Sequence, residues 1–225
     1  MKKKILLILG IFIIMMVAFV TTTYGTTSPT LKTSDHVYLS DISYVQDKSF
    51  ASSGNSILLD KNQSSDLITL NINGKETPFL KGICAWATSV LVYDLREYGF
   101  DYFTSYIGVD ISEQSNYFNT GAKFYIYTSN DGEQWEEQYQ SDTLYGWSDA
   151  SFVKLNIKDV NYLKLVADDN SDNWWSNWYD ETVFADAKLI KEDYVEDTTP
   201  IDFIKTVEEY DEKLKEQSVD QEITG

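Results

Sequence analysis

The sequence predicts an all-β protein in which antiparallel sheets pack as a sandwich. Short segments rich in Val, Ile, Tyr, Phe and Thr recur along the chain, and turn-forming residues separate them. In one segment Phe124 and Ile126 alternate with a Lys and two Tyr residues, so both fall on one face of a strand. No convincing helical pattern lies between the segments. Strands at this spacing without intervening helices are typical of a β-sandwich.

Eight segments have this strand character, and they place the core within residues 36–191. Asn73-Gly74 and Asn130-Asp131-Gly132 are the clearest turns between them, because Asn, Asp and Gly tolerate the backbone angles that tight turns need. The predicted strands are Val37–Leu39, Leu67–Ile72, Ser89–Leu95, Tyr102–Val109, Ala122–Thr128, Ser151–Ile157, Tyr162–Val166 and Val183–Ile190.

The N-terminus has the pattern of an export signal. Three lysines precede an apolar run from Ile5 to Val20, and small and polar residues follow. This order is typical of a secretory signal peptide, which we predict for residues 1–25. The sixteen apolar residues are long for the apolar region of a signal peptide but fewer than the roughly 20 that span a bilayer. An uncleaved membrane anchor is therefore the alternative. Either way, the rest of the chain is predicted to be secreted or at the cell surface, with residues 26–35 as a linker.

The C-terminal residues 192–225 differ in character from the core, with twelve acidic residues and three lysines. Pro200 marks a plausible helix start, since Pro is favoured in the first helical turn. Phe203, Val207, Tyr210 and Leu214 then follow at the spacing of one apolar helical stripe. We predict an acidic helical tail that links the domain to an enzyme or surface-protein partner.

Composition excludes several classes of function. The formal net charge of −18 argues against nucleic-acid binding, which needs Lys and Arg to neutralise phosphates. One Cys excludes an internal disulfide and any multi-Cys zinc site, and one His removes most His-based catalysis. Cys84 lies in an apolar stretch between Ile83 and Ala85, which predicts a buried thiol.

Catalysis is not predicted. Paired carboxylates are the catalytic groups that composition leaves, and a glycosidase needs two of them across a cleft. Most acids here lie in turns or in the tail, among Ser, Asn and Asp, and not in the apolar pockets that raise a carboxyl pKa. The positions of the acidic residues therefore do not favour a small glycosidase.

Large aromatic residues crowd the polar segment 173–180. A loop cannot easily bury so many rings, and exposed indoles offer flat apolar faces that suit the C–H face of a sugar. We predict that Trp174, Trp175 and Trp178 stack on a sugar while Asn177 and Asp180 bind its hydroxyls. The alternative is that one or two of these Trp residues close the end of the sandwich. Further loop aromatics are Trp147, Tyr117 and Phe118.

Four segments, in order over about residues 36–190, resemble the NPCBM family of carbohydrate-binding modules, which overlaps family 51 of those modules. Each segment is weak alone, and together they are specific. They are Val37–Asp41, similar to the family's YLSDL; Lys81–Ser89 with Val92–Leu95, similar to KGIGTHAxS and YDL; Phe103–Asp110, similar to FxxxVGVD; and Phe184–Leu189, similar to WADAKL.

The resemblance implies a galactose-binding-domain-like sandwich, or jelly roll, whose loops at one end hold a sugar. Such modules are secreted, non-catalytic and appended to glycoside hydrolases or other surface enzymes, and their ligands include galactose-terminated glycans. Many related sandwiches carry a structural calcium, and Asp60, Asn62 and Asp186 stand where its ligands would fall. A calcium-like 1-3-5 spacing also begins at Asp168, but Asx-rich turns are common without metal.

The chain departs from the family pattern at two places that affect the sugar site. Trp86 replaces the His of GTHA, and we predict that its indole also stacks on the sugar. Glu181 and Phe184 replace the usual His-x-x-Trp before ADAKL. The sequence therefore predicts a module for galactose-containing glycans, whose specificity is shifted or lost if these His residues contribute to sugar binding in relatives. The alternative is a surface adhesion or assembly domain that binds protein through the Trp loop.

Overall fold

The computed structural model describes residues 35–52, 57–113, 121–169 and 180–195. The predicted signal peptide, most of the linker and the predicted helical stripe of the tail lie outside these ranges. Within the described residues, no helix is long and apolar enough to cross a membrane. At the start of the tail, a turn at residues 192–193 is closed by a hydrogen bond from the N–H of Tyr194 to the carbonyl oxygen of Lys191. The ring centroids of Tyr194 and His36 lie 5.1 Å apart.

Thirteen strands and three short 3-10 helices make up the described part of the chain. The 3-10 helices are Leu39–Asp41, Gln46–Lys48 and Ile111–Glu113. The strands are β1 (His36–Tyr38), β2 (Phe50–Ala51), β3 (Leu58–Leu59), β4 (Ile68–Ile72), β5 (Lys75–Phe79), β6 (Gly82–Trp86), β7 (Ser89–Asp94), β8 (Tyr102–Val109), β9 (Lys123–Ser129), β10 (Glu136–Gln140), β11 (Ser151–Asn156), β12 (Tyr162–Asp168) and β13 (Glu181–Ile190).

The strands form two main antiparallel sheets and a hairpin. One sheet has the order β11-β8-β13-β6-β3, with β1 also paired to β13, and the other has the order β10-β9-β12-β7-β2. The hairpin β4-β5 turns at Asn73-Gly74, where both residues have positive φ, as the sequence predicts for this turn. The predicted all-β sandwich is confirmed.

The main core lies between the two sheets, where every second side chain of the strands points inward. Phe124 of β9 and Phe184 of β13 meet edge to face there, with ring centroids 5.4 Å apart. A second cluster lies where the β4-β5 hairpin covers the outer face of β6 and β13, and it includes Ile68 and Cys84. Because β13 is covered on both faces, all its residues except Asp186 are buried. The predicted burial of Cys84 is confirmed.

The predicted strand positions agree closely with the structure, but five strands are missing from the prediction. The short β2 and β3 contain only two residues each. β5 and β10 are polar, and β10 is the edge strand of its sheet. β6 is short and apolar throughout, and such a run shows no alternation because both its faces are covered.

The topology brings separate segments together at each end of the sandwich. We call one end the loop end: there β6 and β8 finish, β13 begins, and β9 begins next to the last residue of β12. At the other end, β9 and β11 finish, and β8, β10 and β12 begin. Antiparallel pairing requires this arrangement, since successive strands run in opposite directions.

Candidate functional site

Trp86 is the last residue of β6, so it lies at the loop end. It pairs in register with Glu181, the first residue of β13, and its side chain is half-buried. The next N–H along the chain, that of Ala87, donates to the carbonyl oxygen of Asp180 at 3.1 Å. These backbone bonds hold Trp86 beside the start of β13.

Asp180 joins two loops of this end. Its side chain is fully buried, and Oδ1 accepts a hydrogen bond from the N–H of Gly121 at 3.1 Å. A buried carboxylate needs such partners because it has lost its water. In this arrangement Asp180 positions the chain at Gly121. From the sequence, Asp180 is predicted to bind ligand hydroxyls, whereas in the described part of the structure its side chain has no exposed surface.

Gly121 in turn supports a pair of aromatic rings. A Cβ atom at Gly121 would lie 2.6 Å from Cε1 of Tyr145, so only glycine allows the Tyr145 ring to pack against this backbone. Trp147 stacks on Tyr145 with ring centroids 4.7 Å apart and planes 6° apart. The Trp147 side chain is 55% exposed. The result is a flat aromatic platform at the loop end, supported by a buried carboxylate.

Glu181, the residue after Asp180, is almost completely buried. Its Oε1 accepts hydrogen bonds from the N–H of Gln63 at 2.5 Å and from Sγ of Cys84 at 3.0 Å, and Oε2 accepts one from Oγ of Ser112 at 3.1 Å. Burial raises the pKa of Glu181, and its hydrogen bonds lower it in part. Burial also raises the pKa of Cys84 well above its usual value. Glu181 therefore ties loop 60–66, β6 and residue 112 together.

The remaining predicted sugar-binding residues, Trp174, Trp175, Trp178 and Asn177, lie outside the described residues. Asp169 and Asp180, the described residues on either side of them, are both buried at the loop end. These two described residues therefore lie at the end of the sandwich that carries Trp86 and Trp147.

The predicted calcium ligands are already engaged by protein donors. Asp60 accepts hydrogen bonds from Nζ of Lys81 at 2.8 Å and from the N–H of Gly82 at 3.1 Å. Oδ1 of Asn62 accepts bonds from the N–H groups of Ser64 and Asp66. These oxygens therefore cap a local turn and bind an ammonium group.

Asp186, the third predicted ligand, has positive φ and lies at a bulge in the pairing of β13 with β8. Its carboxylate pairs at 2.9 Å with Nζ of Lys188, a side chain that is only 2% exposed. Within the described ranges, no group of three His, Cys, Asp or Glu residues is placed to hold a metal. In this arrangement two lysines supply positive charge at the carboxylates of Asp60 and Asp186, and calcium binding stays a prediction.

Trp147 is the residue whose place in the site the sequence could not establish. It is recognisable in sequence as a loop aromatic, but nothing local shows that it stacks on Tyr145 or that Tyr145 packs on Gly121. The sequence shows only that Tyr145 and Trp147 are two residues apart in a loop, which does not by itself predict that their rings stack.

Comparison with known proteins agrees with this architecture. The model of the NPCBM/NEW2 domain matches residues 35–190, which confirms the resemblance seen in the sequence. None of the curated proteins compared with the chain matches it. A CBM51 module from a Clostridium perfringens GH95 enzyme, solved in complex with methyl-galactose, is 31% identical with a TM-score of 0.60; the match covers 68% of this chain and 99% of that module.

Two structures of Clostridium perfringens ZmpB are also similar. CBM51-2 in complex with GlcNAc, solved with INT domains, is 25% identical with a TM-score of 0.60, and the match covers 69% of this chain and 31% of that one. The M60 catalytic domain with CBM51-1 and CBM51-2 is 29% identical with a TM-score of 0.61, covering 69% of this chain and 15% of that one. The two-sheet sandwich of this chain is thus similar to CBM51 carbohydrate-binding modules, and the chain belongs to the NPCBM/NEW2 domain family.

Proposed function

We propose that this protein is a secreted, non-catalytic module that binds galactose-containing glycans at the loop end. The observation that carries the proposal is the exposed Trp147 ring, stacked on Tyr145 and anchored through Gly121 to the buried Asp180. A rigid indole presents a flat apolar face to a sugar ring with little loss of side-chain freedom on binding. The similarity to a CBM51 module solved with methyl-galactose supports the choice of sugar.

In this proposal several side chains of the loop end share the ligand. Trp147 and Trp86 stack on sugar rings, together with Trp174, Trp175 and Trp178. Asn177 binds hydroxyl groups. Asp180 acts as a positioning residue that holds Gly121 and the Tyr145 ring behind it.

The module would work as part of a larger assembly. A single shallow site buries little sugar surface, so binding at one site is weak. The related CBM51 modules of ZmpB occur in a chain with an M60 catalytic domain. We therefore propose that residues 192–225 connect this module to an enzyme or surface protein, which raises affinity through effective concentration.

The test is a glycan array with the full chain and with Trp147→Ala. We expect the wild-type protein to bind galactose-terminated glycans, and free galactose to displace it. The variant should lose at least about tenfold in affinity, as expected for an aromatic anchor. If the folded protein, verified by circular dichroism, binds no glycan, the sugar function fails. Pull-downs for a protein partner would then test the adhesion hypothesis, since a protein interface would not respond to galactose.

A further inference from the structure

A polar groove lies at the end of the sandwich away from the loop end. It has a volume of about 550 Å³ and lies where the edge strands of the two sheets, β10 and β11, come together. Trp135, Gln138 and Asn156 line it, with residues of the turn between β9 and β10. The groove lies where β9 and β11 finish and β10 begins, at the end of the sandwich opposite to Trp86 and Asp180. It is therefore separate from the proposed sugar site.

The turn that forms one wall of the groove is held rigidly. Oδ1 of Asp131 accepts hydrogen bonds from the N–H groups of Glu133 and Gln134, both at 2.8 Å. These bonds lower the pKa of Asp131. Oγ of Ser129 accepts a bond from the N–H of Gly132 at 2.9 Å. Lys48, from a distant part of the chain, donates to the carbonyl oxygen of Gly132 at 2.8 Å. The wall is therefore formed before any ligand binds.

Trp135 is also held in place before binding. Nζ of Lys164 lies 4.3 Å from the centroid of the Trp135 ring and 4.4 Å from that of Tyr127. This cation–π contact holds the indole against the sheet. Because the indole is already held, little side-chain freedom is lost when a ligand binds to it. The half-buried Trp135 ring lines the groove as well. One aromatic ring is thus available at the groove in a fixed orientation.

The polar side chains around Trp135 have capacity for hydrogen bonds. Gln134, Glu136 and Gln138 are exposed, and within the described residues their side chains make no hydrogen bond. Amides both donate and accept, as sugar hydroxyls do. The charged residues that line the groove are Asp131 and Glu136, with no Lys or Arg among them. The lining therefore offers an anionic ligand no cation to pair with, whereas a neutral polar ligand can bind to the amides.

We propose that this groove is a second carbohydrate site, which takes a neutral sugar. Trp135 stacks on the apolar face of the sugar ring, and the amides of Gln134 and Gln138 bind its hydroxyl groups. The chemistry of the groove is that of a saccharide site, with one aromatic ring among amides and two carboxylates that can bind hydroxyl groups. The inference goes beyond the loop-end site and does not depend on it. Two sites at opposite ends would let one module bind two glycan chains, or two parts of one chain.

The experiment is a ¹H–¹⁵N NMR titration of the full chain with methyl-β-galactoside, N-acetylglucosamine and lactose. Each of the six Trp residues gives one indole N–H signal. Trp135→Phe and Trp147→Phe identify the signals of these two residues by removing them. We expect the Trp135 signal to shift saturably with at least one sugar, at an affinity of its own. A Trp135 signal that stays in place with all three sugars overturns the second site, whatever the Trp147 signal does.

Two further variants, at exposed residues of β10, separate a loss of sugar binding from a loss of folding. Gln138→Ala should weaken binding measured at Trp135 about threefold, the loss expected for one hydrogen bond to a neutral ligand. Gln140→Ala is the matched control, because Gln140 is exposed on the same edge strand but does not line the groove. An equal effect of the two variants overturns the assignment of Gln138. If the indole signal of Trp135 shifts and that of Trp147 does not, the result supports the second site and counts against the loop-end site.

Discussion

The indole of Trp147 stacks on the phenol ring of Tyr145, with centroids 4.7 Å apart and the planes 6° from parallel. Tyr145 itself packs against Gly121, whose N–H binds the buried Asp180. An exposed ring in this position is thus fixed by residues from two other loops. Rigid aromatic residues of this kind act as binding anchors, because little conformational freedom is lost when a ligand stacks on them.

Replacing Trp147 by Ala should weaken binding to galactose-terminated glycans about tenfold, since the exposed indole provides the stacking face. Stability should change little, because most of the ring lies in solvent. Phe152→Ala is the matched control: Phe152 is equally exposed, at 55%, but lies on β11, where it packs against Tyr106. Affinity measured by calorimetry on both variants checks this. Equal losses for the two variants would contradict a specific role for Trp147.

Gly121→Ala should lower both stability and affinity. A Cβ atom there would meet Tyr145 at 2.6 Å, and φ of +76° is unfavourable for any residue with a side chain. Gly74→Ala provides the control, because Gly74 has φ of +73° but no atom within 4 Å of the added Cβ. We expect Gly74→Ala to cost about 1 kcal/mol of stability with unchanged binding.

The difference between these two glycine variants isolates the Tyr145 contact. Gly121→Ala should cost at least about 1 kcal/mol more than Gly74→Ala in urea unfolding. It should also bind glycan less tightly, because Tyr145 and Trp147 must move. If Gly121→Ala binds as well as Gly74→Ala does, the Tyr145 contact has no part in the site.

Glu181→Gln should change the pH dependence of stability. Because burial raises the pKa of Glu181 in the folded state above its ordinary value of 4.5, the folded protein holds this proton more tightly than the unfolded chain does. Its contribution to stability is therefore present below 4.5 and is lost as the pH rises through the folded-state pKa. The Gln variant lacks this loss, so its stability relative to wild type should increase with pH.

Urea unfolding of wild type and Glu181→Gln from about pH 4 to about pH 8 measures this difference. The glutamine can keep the bond from the N–H of Gln63 through its carbonyl oxygen, so the fold should be retained. Parallel pH profiles for the two proteins would show that Glu181 does not titrate differently in the folded and unfolded states.

Chelation should leave the melting temperature unchanged, because lysines pair with the carboxylates of Asp60 and Asp186. Lys188→Met should instead destabilise the protein by about 2 kcal/mol, since it removes the buried ammonium group that pairs with the partly exposed carboxylate of Asp186. Lys48→Met is the control at an ion pair with an exposed partner, Glu133, and its effect should be much smaller. Thermal unfolding with EDTA and with calcium measures both effects. A melting temperature that falls with EDTA and recovers with calcium would contradict the lysine assignment.

Much of the fold is predictable from the sequence because its determinants are local. Alternation in β9 and turn residues such as Asn73-Gly74 depend on the nearest neighbours in the chain. The strand Tyr102–Val109 has the same bounds in the prediction and in the structure. The polar β10 is missing from the prediction, because an edge strand needs no apolar face on its solvent side.

The candidate site was predictable only in part, because its contacts join residues far apart in the chain. Trp86 and Asp180 could be proposed from the sequence, but the full burial of Asp180 and its bond to Gly121 could not. The calcium site stays a prediction. Acidic residues at suitable positions suggest a cation, but the sequence does not reveal that Lys81 and Lys188 pair with the carboxylates of Asp60 and Asp186.

By itself, the sequence determined the all-β class, the family and the burial of Cys84, since composition, motif order and residue alternation are properties of the chain. Only the tertiary structure decided which aromatic ring stands on a support, which carboxylates are paired with lysine, and that a polar groove opens between β10 and β11. The physical reason is that these features arise when the two sheets pack. Each depends on short-range contacts between residues that the sequence separates widely.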